Sequence, residues 1–78
     1  MAVSAFVMIN SEVGKTKQLF EAMKKASSVR GVYAVSGPYD VIAMIEAEDI
    51  DTLGQLITRD IHSVPGIART LTCVVMNI

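Results

Sequence analysis

One short segment of this chain has an echo. Ser28-Val29-Arg30-Gly31-Val32 returns thirty-five residues later as Ser63-Val64-Pro65-Gly66-Ile67. Each copy follows a stretch of helical spacing and leads into an apolar run, so the chain is read as two strand–helix–strand units. Ahead of the first copy, Val3, Ala5, Val7 and Ile9 of Ala2–Ile9 alternate with Ser4, Phe6 and Met8. Both sets are mainly apolar, as in a central strand covered on two sides. From about Glu12 to Ala26 the period lengthens. Val13, Thr16, Phe20, Met23 and Ala26 share a stripe with Leu19 beside it, while Lys15, Lys17, Gln18, Glu21, Lys24 and Lys25 lie mostly opposite. That is the pattern of an amphipathic helix.

Ser27-Ser28 ends this helix, and Val29–Ser36 reads as a strand that is established near Gly31. The stretch Val35-Ser36-Gly37-Pro38-Tyr39-Asp40-Val41 reads as a hairpin turn. Gly37 allows φ > 0, Pro38 fixes φ, and Asp40 is suited to bond its own neighbouring backbone. Val41–Ala47 is the next strand, with Val41, Ala43 and Ile45 on one face and Ile42, Met44 and Glu46 on the other. Asp49 or Asp51 caps a second helix. In it Ile50, Leu53, Leu56, Ile57, Ile61 and Val64 keep helical spacing until Pro65-Gly66 stops it. Ile67–Ile78 is the last strand, with Leu71, Cys73 and Val75 on one face and Thr70, Thr72, Val74 and Met76 on the other.

The order β-α-β-β-α-β specifies an α+β, ferredoxin-like fold. Right-handed crossovers arrange four antiparallel strands as 4-1-3-2 with both helices on one face. The other face has no helix to cover it. Of the 78 residues, 51% are hydrophobic and 19% charged, against about 25% charged in an average domain. The surplus apolar surface predicts a second copy packed sheet against sheet, in the manner of a dimeric α/β barrel. A charge on the uncovered face, at Met76 if that residue lies there, is expected to break the dimer.

Composition excludes several functions. A net charge of −1 leaves no basic footprint for nucleic acid. A single cysteine, Cys73, forms neither an intrachain disulfide nor a cysteine-cluster metal site, and fits a reducing cytoplasm. Met1–Ile9 lacks a basic start and a cleavage pattern, and no run reaches the roughly 20 apolar residues that span a bilayer. No metal-ligand spacing, phosphate loop or nucleophile elbow is present, so no metal and no cofactor is expected. His62, the lone histidine, reads as a surface residue near a helix C-terminus. Glu46, Glu48 and Asp49 read as a polar strand end and a helix cap. Two places remain. The turn offers backbone groups, Tyr39 and Asp40 to a small polar ligand. Thr70 and Thr72, two apart on one face, carry hydroxyls that want partners.

Nearly the whole chain resembles the regulation-of-amino-acid-metabolism domain of Lrp/AsnC feast/famine regulators. The matching stretches are Val13-Gly14-Lys15, Val32 through Asp40, Leu53 through Ile61, Val64-Pro65-Gly66-Ile67 and Arg69-Thr70-Leu71-Thr72. Gly37-Pro38-Tyr39-Asp40 before an apolar strand is the most specific piece. The resemblance implies one ligand-binding and oligomerisation domain, residues 1–78, of ACT-like type. It also implies dimers joined through their sheets, rings of dimers, and small effectors, typically amino acids, between dimers. The effector loop maps onto Gly37, Tyr39 and Asp40, and the last-strand polar positions onto Thr70 and Thr72. Full regulators carry a helix-turn-helix domain first, whereas this chain starts at the first strand. The expectation is thus a stand-alone form that co-assembles with a full-length Lrp/AsnC regulator or senses amino acids for another target. The rivals are a small monooxygenase- or isomerase-like dimeric barrel and an assembly module without a ligand.

Overall fold

The computed structural model describes residues 2–78. Its elements are β1 (Val3–Ser11), α1 (Thr16–Lys25), β2 (Val29–Ala34), β3 (Val41–Ala47), α2 (Ile50–Asp60) and β4 (Ile67–Val74). The strands form one antiparallel sheet ordered β2-β3-β1-β4, the ferredoxin-like arrangement expected from the sequence. Register decides which alternate of each strand is core. Ala5, Val7 and Ile9 pair with Ile45, Ala43 and Val41. All six are buried with Leu19 and Met23 of α1, Leu53 and Ile57 of α2, and Ile61. Ala5 and Ala43 are the small members of this buried face, each paired across the strands with a larger one, Ile45 and Val7.

The opposite face carries Phe6 between Met44 and Cys73, and Met8 between Ile42 and Leu71. Phe6, Leu71 and Cys73 are exposed there. Met76 lies beyond β4 and alternates with Val75, whose N–H bonds Ser4 O at 2.8 Å. It falls on the Thr72–Val74 alternate, so Phe6 is the better position for a disrupting charge.

Both helices start or stop differently from the sequence reading. α1 begins at Thr16 because Gly14 takes the chain through the left-handed region at φ 79°. Val13 is thereby thrown off the stripe and is fully exposed, and the buried face is Leu19 and Met23. Of the two candidate caps for α2, Asp49 is the one used, its carboxylate accepting from Thr52 N–H at 2.7 Å. That bond holds the Asp49 carboxyl below its usual range. Ile50 is exposed, and the helix ends at Asp60, ahead of Pro65.

Asp60 also links the two halves of the chain. It accepts from Arg59 Nε at 2.7 Å and from the hydroxyl of Ser28, the first residue of the first copy of the echo. The Arg59 guanidinium and the Ser28 hydroxyl hold its carboxyl well below the usual carboxylate range. No helix among the described residues is long and apolar enough to cross a membrane.

Gly66 closes the second copy at φ 96°, and its carbonyl accepts from Glu12 N–H at 2.7 Å. A Cβ built there meets Lys15 Cβ at 3.1 Å. Gly66→Ala is therefore expected to destabilise by about 1–2 kcal/mol, the cost of a left-handed L-residue. Gly14→Ala, where a Cβ meets nothing within 4 Å, should cost less. Denaturant midpoints of the two variants check the order.

Candidate functional site

The β2–β3 loop is tied down from both sides. Val35 N–H donates to Asp40 O at 2.9 Å and closes the hairpin, while Asp40 N–H donates to Ile9 O at 2.9 Å. Asn10 Nδ2 donates to Pro38 O at 2.7 Å. Asp40 does not bond its own neighbours as the sequence suggested. Its Oδ2 accepts from Ser11 N–H at 2.8 Å and Ser11 Oγ at 3.2 Å, joining the loop to the end of β1. Ser11 Oγ also meets Thr16 Oγ1 at 2.5 Å, so the chain reaches the start of α1 from the same point. Gly37 has no positive φ, which among the described glycines belongs to Gly14 and Gly66 alone. Its surroundings are open, with nothing within 4 Å of an added Cβ.

Beside this loop lies a cleft of about 260 Å³ lined by Tyr39, Arg69, Thr70 and Leu71. Drug-sized sites run to roughly 300–1,000 Å³, so this one suits a molecule of amino-acid size. Two expected residues, Tyr39 and Thr70, are brought together on its wall. Asp40 adjoins Tyr39, with Oδ2 committed to Ser11. Gly37 stands out on the loop. Thr72 pairs with Val7, one step further along β4, and is not on the lining. Thr70 pairs with Ile9, on the helix side of the sheet, and its hydroxyl lies 3.4 Å from His62 Nε2.

Arg69 and Leu71 were absent from the sequence reading of the site. They alternate with Thr70 and occupy the uncovered face, opposite Asn10 and Met8. A signal for Arg69 existed: it is the only charged residue of β4.

Residues 4–78 match the family model described as Lrp/AsnC ligand binding domain. The chain is 25% identical over 76 residues to the uncharacterized HTH-type transcriptional regulator PH0140 of Pyrococcus horikoshii, covering 97% of this chain and 48% of that protein. It thus spans about half the length of the curated relatives it matches. The crystal structure of TTHA0845 from Thermus thermophilus superposes with a TM-score of 0.88 at 33% identity, covering 97% of this chain and 95% of that one. The Neisseria meningitidis transcriptional regulator NMB0573, solved as a complex with L-Met, shares the fold at TM-score 0.82. It is 16% identical, over 96% of this chain and 50% of that one.

Proposed function

We propose that this chain, which belongs to the Lrp/AsnC ligand binding domain family, is an effector-binding and assembly module. It takes a small molecule, an amino acid, where the β2–β3 loop meets β4, and it works on transcription through a regulator with which it assembles. The observation that carries this reading is the cleft of amino-acid size walled by Tyr39 and Thr70. The L-Met held by the fold-sharing NMB0573 regulator supports the ligand class. The uncovered sheet face supports self-association into a dimer; assembly of dimers into a ring is part of the same reading. Gly37, Asp40 and Thr72 complete the site in this reading, with a neighbouring subunit adding to the wall.

A thermal-shift screen of the twenty amino acids tests it. A ligand at one hundred times its Kd stabilises the fold by about 2.7 kcal/mol, a rise in Tm that is easily read. No rise with any amino acid at millimolar concentration counts against the proposal. Asp40→Asn then separates two roles. Asparagine still offers Ser11 an acceptor but carries no charge. If the free Oδ1 meets the ligand's ammonium, affinity falls by about 1.5–3 kcal/mol while the fold survives. Unchanged affinity by calorimetry makes Asp40 a loop tether only.

A further inference from the structure

The cleft contains one charged side chain. Arg69 lines it, and among the described residues its guanidinium has no ion-pair partner. Around Arg69 stand the phenol of Tyr39 and the apolar Leu71. The nearest acid by sequence on the loop, Asp40, has Oδ2 bound to Ser11. The cleft thus presents a cation, a hydroxyl and an apolar wall.

A second observation lies across the strand pair. Arg69 is the register partner of Asn10. Asn10 spends its Nδ2 on Pro38 O, and its Oδ1 is buried without a hydrogen-bond partner. A buried orphan acceptor is uncommon and costs stability. Arg69 is the cation paired with Asn10 across the two strands. A guanidinium has five N–H donors. Two of them gripping a carboxylate leave others for an amide oxygen, and a planar fork matched to a carboxylate is what arginine offers and lysine does not.

We propose that this cleft recognises its ligand by the carboxylate, held by Arg69. The ligand class is then small monocarboxylates in general, 2-oxo acids as well as amino acids. This rests on the reading of the cleft as the effector site, and it places the carboxylate on β4. The ammonium becomes secondary, because the lining supplies cationic and not anionic charge.

The test is calorimetry on the full chain as it assembles. The fixed probes are the twenty amino acids, pyruvate and 4-methyl-2-oxopentanoate. The 2-oxo acid and the decarboxylated amine of the best-binding amino acid are added. The 2-oxo acid is expected to bind within about tenfold of its amino acid, and the amine not to bind. Arg69→Gln is expected to weaken both acids about ten- to a hundredfold, as loss of a charged hydrogen bond does. Arg69→Lys should recover part of that. The exposed position of Arg69 means that the unliganded Tm of each variant should stay put. Amine binding without 2-oxo acid binding, or full affinity in Arg69→Gln, overturns the proposal and leaves the effector site standing. If no carboxylate among the probes binds the native chain, the effector reading falls and this one with it.

Discussion

Phe6→Lys is expected to turn an associated protein into a monomer of 8.4 kDa. Phe6 lies mid-strand in β1, flanked by Met44 of β3 and Cys73 of β4. Ile42, Met8 and Leu71 continue the same apolar surface one step along. Both helices pack on the other side, so no helix among the described residues covers this patch. An apolar face of that extent marks an interface in a soluble domain. An unpaired ammonium buried at its centre costs about 3–5 kcal/mol. Opposed copies would each bring one, facing like charge. Light scattering at micromolar concentration should give at least a dimer for the native chain and the monomer mass for the variant, with an unchanged circular dichroism spectrum. A native chain that scatters as a monodisperse monomer contradicts the architecture's chief consequence.

Leu19→Ala is expected to cost about 2–5 kcal/mol. Leu19 is fully buried against the sheet, and α1 contributes only one other fully buried side chain, Met23. Leu19 belongs to the one buried apolar cluster of the domain, with Met23, Ile9, Ile45 and Leu53, so its truncation removes packing from the core itself. A domain of this size has about 4–12 kcal/mol of stability in all, so the variant sits near the edge of folding. A lowered urea midpoint at unchanged slope identifies the loss as one of core packing. A loss below about 1 kcal/mol means that α1 is held by something other than this contact.

Much of this fold was legible because it rests on periodicity. The change from period two to period 3.6 at Asn10–Glu12, the echo at Ser28 and Ser63, and the two-faced apolar strands are local facts. Together they specify element order, sheet order and the uncovered face. What periodicity does not carry is the state of single backbone positions. Gly37 in a Gly-Pro turn looked like the residue that needs φ > 0, yet Gly14 and Gly66 hold that conformation. Because of Gly14, Val13 left a stripe that it fitted by spacing alone.

The site was legible in part for a similar reason. Tyr39 and Thr70 were read from turn chemistry and strand alternation, and both line the cleft. Asp40 was given a local bond because turn aspartates often make one, but its acceptor serves Ser11, which lies on another strand and becomes a neighbour only once β1 and β3 pair. Arg69 and Leu71 went unread because their meeting with Tyr39 needs the β1–β4 register, and no local pattern states a register.

The central claim, that the loop end of the sheet holds a small effector, is tested most directly by mapping backbone amide shifts on titrating the amino acid that raises Tm most. The account predicts that the largest shifts fall on Gly37, Tyr39 and Asp40 of the loop and on residues 69–72 of β4, and that they saturate together with one Kd. Shifts that gather elsewhere, on the exposed lysine face of α1 for instance, with the loop and β4 unmoved, would contradict it.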